Sequence, residues 1–215
     1  ALETQDYSMI FQETIPHFPI PFEPKIGADI AALYSALPEE AQRLITGIAG
    51  SSPYLGRLLE KHAPWVLDHW QDMPEDAVAA AMVLEGDIGP ALRIAKGRVA
   101  LVLALCDLSH IRDMDWVTDK LTRFADFAVE SALDAELRVM VDRGKLDGAA
   151  LNDGAAAGVF VLAMGKMGAH ELNYSSDIDL IFLFDDTQYP VDEVAAYRSI
   201  FVTVTQKVFA LLSKA

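Results

Sequence analysis

The chain has 215 residues, of which 52% are hydrophobic and 23% charged. That balance describes a folded globular protein and excludes a disordered tail, and the length gives room for one large domain or two small ones. A formal net charge of -15, from 17 basic and 32 acidic side chains, repels polyanions and argues against a general nucleic-acid binder.

The acidic start "ALETQDYSMIFQE" lacks the charged head and apolar middle of a signal peptide, and no apolar run reaches the roughly 18 residues of a membrane span. No membrane contact is expected, and a reducing cytoplasm is the default compartment. The first residue is not methionine and the last residues read as an unfinished helix, as in a piece of a longer chain. Residues 1–37 read as an irregular, proline-rich segment: "ETIPHFPIPFEPK" carries four prolines, which fix dihedrals and remove backbone donors, so no helix is expected to start there.

Residues 38–150 read as a helical region. "LPEEAQRLITGIAG" has proline and acids at its start and glycine at its end, and "SSPYLGRLLEKHA" repeats the pattern with serine as N-cap. In "DIGPALRIAKGRVALVLALCDLSH", Ile88, Leu92, Ala95, Val99, Val102 and Cys106 recur at helical spacing, and Leu101, Leu103 and Leu105 add burial on a second side. Cys106, the single cysteine, reads as a small core hydrophobe. A second long helix follows through "DMDWVTDKLTRFADFAVESALDAELRVMVDR", with Val117, Leu121, Phe124 and Ala128 in its core stripe, and "GKLDGAALNDGAAAG" ends it.

From Gly154 the period changes. "VFVLAM" and "IDLIFLF" read as short strands, and Val194, Tyr197, Phe201, Val204, Val208 and Leu211 mark a closing helix packed on them. The fold class is therefore α+β. Residues 154–215 hold the strands.

Between the strands lies "MGKMGAHELNYSSDIDLIF". In "SDIDLIF" strand alternation sends Asp177 and Asp179 to one side, their Cα atoms about 7 Å apart. Two such carboxylates suit a hard cation such as Mg²⁺ that also takes phosphate oxygens. Gly165 lets backbone approach a phosphate closely, Lys166 adds an ammonium, and Ser176 adds a donor beside the acids. Each fragment alone reads as a solvated strand start or a plain turn; their combination and spacing favour a site. His170 reads as a surface residue, Glu171 as a support for the turn, and Asp185 and Asp186 as the turn after the second strand.

The pattern of glycine turn and Asp-x-Asp resembles the nucleotidyltransferase superfamily. The fuller string "GKMGAHELNYSSDIDLIF" resembles the bifunctional glutamine synthetase adenylyltransferase/adenylyl-removing enzyme family, and the resemblance extends back to about Gly50. "ELNYSSDIDLIF" is similar to the first, adenylyl-removing half of that family. The resemblance implies the opening strands of a polymerase beta-like mixed sheet with flanking helices. It also implies phosphorolysis of an AMP group on a tyrosine of glutamine synthetase to ADP, with Asp177 and Asp179 on Mg²⁺, and Gly165, Lys166 and Ser176 against the phosphates of ATP or ADP.

The wider superfamily carries serine where Lys166 stands, whereas the narrower family carries lysine. The superfamily's third carboxylate comes from a later strand, so weak metal and nucleotide binding is expected of these 215 residues alone. A different reading makes the helices at Ile88–His110 and Asp113–Arg143 a docking module for glutamine synthetase or a PII-type signal protein. A nucleotidyltransferase acting on RNA or an antibiotic is opposed by the charge and by the string itself.

Overall fold

The computed structural model describes residues 15–154 and 156–213. The first helix, α1 (Pro24–Ala31), begins inside the proline-rich segment where no helix is expected. Pro24 stands at the first helical position, where its missing N–H costs nothing and its fixed φ already suits a helix. The prolines before it stay irregular.

α2 (Glu39–Ser51) follows Pro38, with Glu39 and Glu40 in its first turn facing the positive end of the helix dipole. α3 (Pro53–Lys61) is capped as expected: the Ser52 hydroxyl accepts from the Leu55 N–H at 3.3 Å. α4 (Ala63–Asp68) and α5 (Pro74–Ala81), too short for a clear period, complete this part of the chain. Two long helices come next, α6 (Ile88–Leu108) and α7 (Met114–Asp142).

The chain divides into two compact units, the first taking residues up to Val83 with Ala95–Lys120, the second Leu84–Ile94 and Leu121 onward. In the first unit the core gathers Tyr34, Leu44, Ile45, Ile48, Leu59, Leu101 and Leu105. The Tyr34 hydroxyl donates to the Leu59 carbonyl at 2.7 Å, which satisfies the one polar group on that buried ring. Cys106 is fully buried, and burial pushes its thiol up to about 12. Leu101, Leu103 and Leu105 are buried together with Val99, Val102 and Cys106, so α6 is covered on more than one side here.

The second unit carries the sheet. β1 (Val159–Ala163) and β2 (Leu180–Phe184) pair antiparallel, Val159 opposite Phe184 and Ala163 opposite Leu180. Along both strands burial alternates: Val159, Val161, Ala163, Leu180, Phe182 and Phe184 face inward, while Phe160, Leu162, Ile181 and Leu183 stand 42–49% exposed on the outer face. α9 (Val194–Leu212) lies against the inward face, Phe201 within 5.0 Å of the Phe184 ring and Phe209 within 5.5 Å of Phe182. Phe201, Val204 and Val208 are buried, as their spacing predicts. Leu133, Leu137 and Met140 of α7 join the same core. Among the described residues no helix is long and apolar enough to cross a membrane.

Candidate functional site

β1 does not end at its last strand residue. The Met164 N–H donates to the Asp179 carbonyl at 2.9 Å, which carries the ladder one pair beyond Ala163 and Leu180. Gly165 then takes φ +58°, a left-handed conformation that glycine adopts without penalty, and the chain turns off the sheet. One helical turn follows, α8 (Gly165–Gly168), closed by Gly168 N–H to Met164 C=O at 3.3 Å and Ala169 N–H to Gly165 C=O at 3.1 Å.

Two contacts hold this turn in place. Gly168 lies so near the strand that a methyl group there would come within 2.4 Å of the Ala163 carbonyl oxygen. Met167, 3% exposed, drops into a small core with Ala125, Val129 and Leu172, against which Ile178 and Leu180 pack. Leu172 is tied to α7 through the fully buried Thr122, whose hydroxyl accepts from the Leu172 N–H at 3.3 Å. Neither Gly168 nor Thr122 is singled out by the sequence; Gly168 is betrayed only by its place at the end of "GKMG".

The return towards β2 is a tight turn at Asn173–Ser176. The Ser176 N–H donates to the Asn173 carbonyl at 3.1 Å, and the Ser176 hydroxyl donates to the Asn173 amide oxygen at 2.7 Å. Ser176 thus braces the turn. The structure departs here from the expected strand: β2 begins at Leu180, so Asp177 and Asp179 precede it, Asp179 joined to β1 through its carbonyl alone. The alternation nonetheless holds, with Asp177 and Asp179 exposed and Ile178 and Leu180 half-buried.

The structure brings Asp179 against Gly165: the carboxylate oxygen Oδ2 lies 3.8 Å from where a Gly165 side chain would start. Lys166 is exposed on α8, and its carbonyl accepts from the Glu171 N–H at 2.8 Å, so Glu171 supports the turn through its backbone. His170 is exposed at φ +58°. Among the described residues the carboxylates of Asp177 and Asp179 accept no hydrogen bond and pair with no cation.

Asp185, at the other end of β2, is the internal contrast. Its carboxylate accepts from the Thr187 hydroxyl at 2.6 Å, the Thr187 N–H at 3.0 Å and the Gln188 amide at 3.1 Å, and these bonds hold it below the usual carboxylate range. That aspartate is spent on its turn, as its position after the strand predicts. Asp177 and Asp179 are not. Among the described residues no group of three or more histidine, cysteine, aspartate or glutamate side chains gathers to hold a metal ion.

Comparison with known proteins places the chain in a family. Residues 40–215 match the family model described as Glutamate-ammonia ligase adenylyltransferase. A protein of Bradyrhizobium sp. strain BTAi1 named bifunctional glutamine synthetase adenylyltransferase/adenylyl-removing enzyme is 38% identical over 88% of this chain and 20% of its own length. Proteins of the same name from Rhodopseudomonas palustris strain TIE-1 and Caulobacter vibrioides are each 36% identical, over 86% and 78% of this chain. The chain spans about a fifth of the length of these relatives. No solved structure matches it. The chain belongs to the glutamate-ammonia ligase adenylyltransferase family.

Proposed function

We propose that the turn at Gly165 and the carboxylates of Asp177 and Asp179 form part of a nucleotidyl-transfer site of the polymerase beta-like kind, and that in the intact protein it removes AMP from an adenylylated tyrosine of glutamine synthetase. The observation that carries this reading is the contrast among the aspartates around β2. Asp185 has both carboxylate oxygens engaged locally by three hydrogen bonds, while Asp177 and Asp179 stand exposed, unpaired and on one side, with Asp179 against a glycine turn.

Unpaired carboxylate oxygens suit Mg²⁺, which prefers oxygen ligands, keeps several waters and takes one or two carboxylates together with phosphate oxygens. Asp177 and Asp179 would hold the ion. When bound, it would supply charge neutralisation at phosphorus. The chain's own part is positional. Gly165 leaves room for a phosphate group beside the Asp179 carboxylate, Lys166 offers a flexible ammonium on the adjacent exposed turn, and Ser176 keeps the loop carrying Asp177 in one conformation. An oxygen of inorganic phosphate forms the new P–O bond, the bond from phosphorus to the tyrosine oxygen breaks, and the tyrosine oxygen takes a proton, leaving ADP and unmodified tyrosine.

The support for this specific activity is the family membership and the string "GKMGAHELNYSSDIDLIF". The test is product identity. The intact protein, incubated with adenylylated glutamine synthetase, Mg²⁺ and inorganic phosphate, yields ADP and restores free tyrosine. Release of AMP, or no release while glutamine synthetase or a PII-type protein still binds, replaces this reading with hydrolysis or with a docking role.

A further inference from the structure

The ladder parity of the sheet fixes which backbone groups look outward. Met164 donates to Asp179 and Gly158 accepts from Asp185, so the even-numbered residues of β1 bond to β2. Val159, Val161 and Ala163 therefore turn their N–H and C=O groups to the other edge. Gly168 covers the Ala163 carbonyl, and among the described residues nothing pairs with Val159 or Val161 along that edge.

That edge does not face open solvent alone. It forms one wall of a groove of about 490 Å³ whose other wall is α7. Val129, Leu133 and Leu137 make the apolar part of the α7 wall, and Asp126, Glu130 and Asp134, spaced by four, run along it as an acidic ridge. Asp134 is paired with Arg138 at 2.7 Å. Asp126 and Glu130 have no ion-pair partner among the described residues. An unpaired strand edge is a template for another strand, and the volume is that of a ligand site rather than of a packing defect.

We propose that this groove is a docking site for an extended, lysine- or arginine-bearing peptide segment of another protein, added to the sheet beside β1 as a third strand. Main-chain bonds to Val159 and Val161 supply affinity, and the alternate lysine or arginine side chains that face α7 meet its acids, its apolar residues Val129, Leu133 and Leu137 being already buried. Charge selects the occupant. A second copy of a chain with net charge -15 brings 32 acidic groups to an acidic wall, whereas a basic segment neutralises it. The groove ends at Ala163 and Met167, beside the Gly165 turn, so a docked segment runs up to the candidate site.

The probe is a fluorescein-labelled heptapeptide of alternating lysine and valine, titrated by anisotropy against both the 215-residue chain and the intact protein. Binding to both is expected, weakened at least about tenfold when glutamate replaces lysine and when the internal amides are N-methylated, since each change removes one of the two recognition elements. Asp126→Asn with Glu130→Gln, near-isosteric changes that remove only charge, weakens it about fivefold or more. Four results overturn the proposal. They are no binding, equal binding of the N-methylated peptide (charge attraction without strand pairing), indifference to the double substitution, or binding to the 215-residue chain but not to the intact protein, which means that the rest of the molecule fills the groove. ADP release by the intact protein is measured separately, so failure here leaves the nucleotidyl-transfer reading standing.

Discussion

Gly168→Ala tests how the site is built. A methyl group at this position meets the Ala163 carbonyl oxygen at 2.4 Å, about 1 Å inside the 3.4 Å at which ordinary contact begins. The obstacle is backbone of a paired strand, so α8 must move. Overpacking of this kind costs about 1–3 kcal/mol. For a chain of this size that is a fall in melting temperature of about 2–12 °C, since each kcal/mol corresponds to about 2–4 °C. The same shift carries Gly165 away from Asp179, and a misplacement of about 1 Å at a reacting centre can cost roughly a hundredfold in rate.

Thermal unfolding of the 215-residue chain by circular dichroism, with ADP release by the intact protein, reads both effects. Gly148→Ala is the control, because its added carbon lies 3.5 Å from a Val141 methyl, an ordinary contact, and its effect stays within about 0.5 kcal/mol. A Gly168→Ala protein that melts with the parent and keeps its rate refutes the close-approach argument.

Further outcomes follow from other contacts. Thr122→Val leaves the Leu172 N–H without its acceptor and costs about 1–3 kcal/mol in urea unfolding, whereas Thr122→Ser retains most of the stability. His62 is buried, and burial, with the charges of Lys61 and Arg98, holds its pKa below 6.5. It binds a proton less readily in the folded protein than in the unfolded chain, so its share of stability is present above pH 6.5 and lost as the pH falls below it. Urea midpoints at pH 7.5 and 5.5 should therefore differ more for the parent than for His62→Leu. Cys106, with its thiol at about 12, reacts with a thiol reagent only on the timescale of unfolding; rapid labelling of the native protein contradicts its burial.

What the sequence made legible was whatever rests on period. The stripes of α6 and α9 are buried at Leu92, Ala95, Val99, Val102, Cys106, Phe201, Val204 and Val208 and half-buried at Ile88, Val194, Tyr197 and Leu211, because burial of one face is what imposes the spacing. The alternation of Asp177 and Asp179 with Ile178 and Leu180 was legible for the same reason, whereas the inward face of β1, apolar on both sides, was not. Boundaries were not. Pro24 can either stop or start a helix, and only its N1 position decides which. The start of β2 at Leu180 depends on ladder bonds to β1, while the Asp-Ile-Asp-Leu alternation runs on through the residues before it.

At the candidate site, residue types announced themselves and supports did not. Gly165, Lys166, Ser176, Asp177 and Asp179 stand close together in the chain and carry recognisable chemistry. Ser176 proved to brace the Asn173 turn with its hydroxyl, which spacing alone does not reveal. Thr122 acts from fifty residues away through one hydrogen bond, and the Gly168 constraint exists only because the Ala163 carbonyl is folded against it. Tertiary contacts of this kind leave no local pattern to read.

The most direct test of the central claim is the rate of ADP release from adenylylated glutamine synthetase by the intact protein carrying Asp177→Asn or Asp179→Asn. Both side chains are exposed, so each substitution should leave the fold intact by circular dichroism. Each should lower the rate by about a hundredfold or more, as expected when a group that neutralises charge at the reacting phosphorus is lost. Full activity in both variants would contradict the assignment of this site.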